Sequence, residues 1–449
     1  MDIQKTQNIY MVGIKGVGMT ALALILKKMN KNVWGSDLGD EYKTDEVLKK
    51  NNISISLGFK EQNINDDIDL VITTAAHGGL SNIEVQKAME RNIVVMTHAQ
   101  ALGQVMNLFK VKISVCGSHG KTTVSAMIAF VFAKLGKKFG YHVGVSSFSG
   151  FDAGGFSGFD YFVSEADEYV ASPGIDNTPR FMYQNPDIII CTNIDFDHPD
   201  VYKSLDEVND AFTNFLEKLT TKTCKLIYYK NDVLLQKIAG QLLIPEIHTY
   251  DLDDAQNLSL NISGKHNRLN AAAVLALFRS MGEDESQVKK AITEFRGSSR
   301  RFEKIYENFG SILYDDYAHH PMEIVATIEA ARAQYPTRRL LVIFQPHTYS
   351  RTQTFKSGFI NALAKADISI VTEIYSSKRE AAKNFSISSP QLVEEARNQG
   401  FKNISFCPID DLSIKLKTIL KRGDVIVTMG AGSIYQAHSD IIRAMNDVM

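Results

Sequence analysis

Residues 111–128 read V-K-I-S-V-C-G-S-H-G-K-T-T-V-S-A-M-I: an apolar, β-branched run, a glycine-framed turn, then an apolar helix-like pattern. Gly117 and Gly120 allow the backbone to approach a phosphate closely, because glycine has no Cβ and tolerates positive φ. Ser118, His119 and Thr123 complete a loop whose amides open a helix and so carry partial positive charge. Lys121 can reach the outer phosphates of a nucleotide, and the Thr122 hydroxyl is placed for the accompanying Mg²⁺. The general phosphate-loop pattern asks for glycine at position 115, where this chain has Val115, so the loop is a shortened one. An isolated G-K-T also begins ordinary helices. The strand directly before it favours nucleotide binding.

Other strand-like runs end in polar clusters. Y-F-V-S leads to Glu165, Asp167 and Glu168, and I-I-I-C-T leads to Asn193, Asp195, Asp197 and His198. Carboxylate oxygens suit Mg²⁺, and Glu165 is first after its strand. His198 is harder to place, since imidazole is not a preferred Mg²⁺ ligand, and acidic loops are often merely solvated. S-I-L-Y ends in Asp315, Asp316, Tyr317, Ala318, His319 and His320, and L-L-V-I-F ends in Gln345, Pro346, His347, Thr348, Tyr349, Ser350 and Arg351. Charges of this density are poor core filler, because an unpaired buried charge is costly. Asn267 and Asn270 share a face near the start of a helix, where amides either read an adenine edge or cap the helix. Near the N-terminus, N-I-Y-M-V-G-I is followed by Gly13, Lys15, Gly16, Gly18 and Met19, with Asp37 closing the next strand. This is a βαβ layout with an acid where a ribose hydroxyl can be bound. Lys15 takes the middle glycine of the dinucleotide fingerprint, so NAD is disfavoured and Lys15 can pair with a diphosphate; a tight turn without a ligand is the alternative.

The elements that must position these groups alternate strand and helix throughout, which predicts an α/β protein of parallel sheets. Three blocks follow: 1–108 and 299–449, each Rossmann-like, and a central phosphate-loop block at 109–298. At 449 residues the chain exceeds one core, and its net charge of -2 argues against a nucleic-acid partner. The scattered Cys116, Cys191, Cys224 and Cys407 read as reduced core residues of a cytoplasmic protein. No apolar run is long enough for membrane insertion, and the first residues lack a signal-peptide pattern.

As an ordered set, the motifs resemble the Mur ligase family over all three blocks: G-I-K-G-V-G-M, G-S-H-G-K-T-T, E-A-D-E-Y, T-N-I-D-F-D-H-P-D-V-Y, G-K-H-N-R-L-N, R-R-F-E, D-D-Y-A-H-H-P and F-Q-P-H-T-Y-S-R-T. The resemblance implies a three-domain, ATP- and Mg²⁺-dependent amide ligase acting through an acyl phosphate, in the branch that joins L-alanine to UDP-N-acetylmuramate. It implies ATP on residues 117–123, Asn267, Asn270, Arg301 and Asp316. A first Mg²⁺ would lie on Thr122 and Glu165 and a second on His198, and the UDP-sugar on Gly13, Lys15, Gly16, Gly18, Met19 and Asp37. His319, His347 and Arg351 would lie by the amino acid and the acyl group. Thr348 and Gln353 depart from the arginines that many members carry. The alternatives are a peptide-recycling ligase for the same sugar, or a nucleotide-binding scaffold without turnover.

Overall fold

The computed structural model describes residues 3–219, 223–376, 380 and 384–448. They form two compact units. The first runs up to Phe196 and adds Val201–Asn261 and Arg268–Arg296; the second comprises Gly297–Met449 with Asp197–Asp200 and Ile262–Asn267.

The first unit carries two large sheets. Five strands, β1 (Asn8–Val12), β2 (Asn32–Asp37), β3 (Ser54–Leu57), β4 (Leu70–Thr73) and β5 (Val94–Thr97), pair in the order β3-β2-β1-β4-β5, all parallel. The chain reverses its direction of travel across the sheet at β1, so the loop leaving β1 opens onto the crevice where ligands of open α/β sheets sit. The second sheet uses β6 (Val111–Cys116), β7 (Phe139–Phe148), β8 (Phe151–Phe156) and β9 (Tyr161–Glu165). After a small hairpin of β10 (Val170–Ser172) and β11 (Asp176–Pro179) it adds β12 (Ile188–Cys191), β13 (Lys225–Tyr229) and β14 (Glu246–Tyr250). Its order is β14-β13-β12-β6-β9-β7-β8, which puts β6 between β9 and β12 at a second switch point.

One departure from all-parallel sheets is β8, which returns antiparallel to β7. Ser149 and Gly150, with φ of 43° and 87°, make the tight turn between them. Two consecutive positive φ values match the twist of a two-residue hairpin, and S-G supplies them. The hairpin packs on the helix Val17–Lys28. That helix is buried continuously from Met19 to Leu26, because M-T-A-L-A-L-I-L is apolar on every face and lies between two layers. Gly154 is what permits the approach: a Cβ there would lie 2.1 Å from the Ala21 carbonyl oxygen. The helix Lys121–Lys134 is buried from Thr122 to Phe132 for the same compositional reason.

The second unit holds β15 (Glu303–Asn308), β16 (Ser311–Asp316), β17 (Leu340–Phe344), β18 (Ile368–Val371), β19 (Ile404–Phe406) and β20 (Val425–Met429), ordered β15-β16-β20-β17-β18-β19. Only β15 is antiparallel, through a Phe309–Gly310 turn of the same two-positive-φ kind. Alternation along the strands sends Val342 and Phe344 to one apolar layer and Leu341 and Ile343 to the other. All four cysteines are buried free thiols. Among the described residues no helix is long and apolar enough to cross a membrane.

Candidate functional site

The carboxyl ends of β6, β9 and β12 converge on the loop 117–120. Gly117 has φ of 126°, and a Cβ on it would fall 2.1 Å from Thr192 Oγ1; Gly120 has φ of 89°, and its Cβ would meet Asn270 Oδ1 at 2.8 Å. Both glycines are therefore required by conformation and by space. Segment 192–195 braces the loop from the side. Asn193 accepts the Ser118 and His119 amides through its backbone and side-chain oxygens, Ser118 Oγ accepts the Asp195 amide at 2.8 Å, and Thr192 and Asn193 donate to the His119 carbonyl. The His119 ring lies 3.4 Å from Asp195.

Lys121 opens the following helix, and its ammonium lies 2.6 Å from the Gly117 carbonyl and 2.8 Å from Glu168 Oε2. Burial works against that charge, but Glu168, Asp167 and Glu165 outweigh it and hold the lysine above its ordinary pKa. The Thr122 hydroxyl donates to Glu165 Oε2 at 3.1 Å, and Glu165 also accepts the Gly144 amide from β7. Thr123 is buried in the same helical turn. Gly117, Ser118, His119, Gly120, Lys121, Thr122, Thr123, Glu165 and Asn270 thus form one constellation.

The glycine loop after β1 forms another within the same unit. Gly13 has φ of 77°, Gly16 caps the helix Val17–Lys28 and Met19 is buried in its first turn. Asp37 accepts the Lys15 amide at 2.8 Å, and the Lys15 ammonium reaches the Asp40 carbonyl and, at 3.1 Å, Asp45. Gly18 touches two histidines: His142 Nε2 is 3.0 Å from the Gly18 carbonyl and 3.2 Å from His98 Nε2. Burial depresses both rings, His142 to about 4 and His98 well below its usual value, so both are neutral at pH 7.

In the second unit, Asp197, His198, His319, His347 and Arg351 cluster. Arg351 Nη2 donates to Asp197 Oδ1 at 2.6 Å, and His347 Nδ1 is 3.4 Å from Arg351 Nη1. The His347 and His319 rings meet edge to face, and His319 Nδ1 is 3.2 Å from Glu323. Burial alone would raise Asp197, but His198, Arg351 and His319 hold it well below the usual carboxylate range. His198 has φ of 57°, and its amide donates to Asp197 Oδ1. Arg301 lies over the Tyr317 ring, and Asp316 accepts the Phe302 and Ala318 amides. Asn267 donates to the Ser263 carbonyl in this unit, so the two predicted asparagines divide between the units.

Three family descriptions match successive parts of the chain: the Mur ligase family catalytic domain over residues 8–110, the Mur ligase middle domain over 115–258, and the Mur ligase glutamate ligase domain over 300–432. The UDP-N-acetylmuramate–L-alanine ligase of Desulfitobacterium hafniense (strain Y51) is 34% identical over 463 residues, covering 97% of this chain and 99% of that one. The chain belongs to the Mur ligase family. A second Mur ligase of the same name, from Lachnospira eligens, is 33% identical and covers 99% of both chains. Among solved Mur ligases, the UDP-N-acetylmuramate-alanine ligase of Thermotoga maritima superposes with a TM-score of 0.79 at 26% identity, over 98% of this chain and 100% of that one. A murein peptide ligase from Psychrobacter arcticus shares the fold, with a TM-score of 0.74 at 21% identity over 99% of both chains. The three-domain α/β architecture expected from the motifs is therefore the architecture of this Mur ligase.

Several residues join the predicted ones without having been singled out as site residues. Glu168, Asp197 and Glu323 are partners of Lys121, Arg351 and His319 respectively. Glu168 and Asp197 stood in acidic strand ends where the first acid or the histidine drew the assignment. Glu323 follows Pro321 in a helical first turn, where a glutamate reads as a capping group. His98 and His142 carried no motif at all.

Proposed function

We propose that this Mur ligase joins L-alanine to UDP-N-acetylmuramate at the expense of ATP, in peptidoglycan precursor synthesis. The observation that carries the reading is the loop 117–123, with its buried lysine and a hydroxyl–carboxylate pair at the end of β9, in a chain whose full-length relatives bear that activity's name. ATP dependence and domain divisions near 108 and 298 are part of this reading. The residues present fit both ATP and Mg²⁺. The Lys121 ammonium at the start of its helix suits a phosphate, and the Thr122 hydroxyl with the Glu165 carboxylate is an oxygen donor set suited to a hard cation. Thr122 and Glu165 would hold a first Mg²⁺ and His198 a second; their charge offsets the repulsion between a carboxylate and a triphosphate.

The sugar's lactyl carboxylate is a poor electrophile. Its oxygen attacks the γ-phosphorus of ATP, the bond to ADP breaks and an acyl phosphate forms. Lys121 and the loop amides stabilise the charge on the transferring group. The amine of alanine then attacks the acyl carbon, the tetrahedral adduct collapses and phosphate leaves. Arg351 and His347 lie side by side and suit the amino-acid carboxylate, while His319, held by Glu323, can take up a proton from the attacking amine. Gly13, Lys15, Gly16, Gly18, Met19 and Asp37 would line the UDP-sugar site, Lys15 facing the diphosphate. By the family resemblance, Asn267, Asn270, Arg301 and Asp316 are further residues proposed to bind ATP. Such chemistry belongs in the cytoplasm, where the nucleotide substrates are made.

The test is phosphate release with ATP, Mg²⁺ and UDP-N-acetylmuramate, comparing L-alanine, glycine, L-serine and a stem tripeptide, with the product weighed by mass spectrometry. Alanine-dependent release and a product heavier by one alanyl residue are expected. A preference for the tripeptide would move the chain to peptide recycling, and no release with any acceptor would leave a scaffold.

A further inference from the structure

Glu168 stands three residues beyond the end of β9 and is 2% exposed. Its carboxylate takes the Lys121 ammonium with both oxygens, at 2.8 and 3.1 Å, while the same ammonium reaches the Gly117 carbonyl at 2.6 Å and the Ser118 carbonyl at 3.4 Å. The lysine is thus folded back over its own loop, with its three protons directed at Glu168 and at the loop carbonyls. Lys121 is also the one lysine or arginine between Gly117 and Thr123. A phosphate seated in the loop requires that same ammonium. Two anions, Glu168 and the phosphate, therefore compete for one cation in a site with little water to screen them.

We propose that Glu168 is a positioning residue for phosphoryl transfer. It steers the Lys121 ammonium along the loop and yields it to the nucleotide, weakening nucleotide binding while fixing the lysine where the transferring phosphoryl group needs it. This rests on the reading of the loop as an ATP site. A carboxylate with this role has an effect on affinity opposite to its effect on turnover. Removing its charge relieves repulsion toward the triphosphate, and it also frees a four-carbon side chain to wander, which costs rate because small misplacements of a catalytic group are expensive. A purely structural ion pair behaves otherwise, since its loss loosens the loop and weakens binding and turnover together.

The experiment measures ATP affinity by titration calorimetry, in EDTA and with Mg²⁺, beside kcat and KM for the full-length wild type, E168Q and E168D. For E168Q the expected result is about tenfold tighter binding of metal-free ATP together with a kcat about tenfold lower. E168D keeps the charge and should return ATP affinity to within a few-fold of wild type. Unchanged ATP affinity in E168Q would overturn the proposal, as would a parallel fall of affinity and kcat. ATP binding in E168D as tight as in E168Q would also overturn it, because charge would then not be the determinant. A wild-type protein that binds no ATP would overturn the ligase reading itself, whereas the preceding outcomes leave that reading standing.

Discussion

At the scale of single residues, the site is a set of charges made tolerable by one another. Lys121 and Glu168 are both largely withdrawn from water, so removing one leaves the other buried and uncompensated. Lys121→Ala should abolish phosphate release and also lower stability by about 3 kcal/mol. Adding E168Q to that variant should return part of the stability but none of the activity, as urea unfolding and phosphate assays would show. Asp316 makes a pH prediction. Burial raises its carboxyl to about 6 against the opposing pull of Arg301. A carboxyl raised in the folded state contributes stability that is fully present below its unfolded pKa near 4 and is lost as pH rises through 6. Relative to Asp316→Asn, the wild type should therefore lose about 3 kcal/mol between pH 4 and pH 7, read from urea midpoints of both proteins across that range. The glycines, Lys121, Thr122 and Glu165 were legible in the sequence because a phosphate loop has few solutions. The counter-ions were not, since which acid of E-A-D-E meets the lysine depends on how the chain leaves β9, and spacing alone does not reveal that.

At the scale of elements, the alternation of apolar runs and helical periodicity was enough to predict parallel α/β sheets, and the strand ending at Asp37 falls where N-V-W-G-S-D places it. The antiparallel returns of β8 and β15 within the large sheets are not predicted by that pattern. Their signals are the short S-G and F-G turns, which are weak beside the longer βα pattern that surrounds them. The helix Val17–Lys28 is capped by Gly16. Its seat against the hairpin depends on Gly154. Gly154→Ala should push the helix outward, lowering stability by about 1–3 kcal/mol. Since Gly18 and Met19 lie in the first turn of that helix, the KM for UDP-N-acetylmuramate should rise more than the KM for ATP. Thermal unfolding with steady-state kinetics on both substrates would check it, and equal effects on the two KM values would argue against a selective displacement.

At the scale of the whole molecule, the ligase reading predicts that substrates stabilise the fold by mass action. ATP at about a hundred times its dissociation constant should raise unfolding free energy by about 2.7 kcal/mol, visible as a shift in melting temperature that Lys121→Ala removes. One strand gives this linkage a geometric consequence. On β7, His142 meets the Gly18 carbonyl and Gly144 donates to Glu165, so two positions of a single strand touch the loop proposed for the sugar and the carboxylate proposed for the metal. Two residues of extended chain span about 7 Å. Under the proposed function the strand is therefore a ruler, setting the gap between the donor of the carboxylate and the donor of the phosphoryl group in covalent units. Inserting or deleting a residue between His142 and Gly144 would change that gap by one residue's rise, a lesion that no improvement in either binding site could repair.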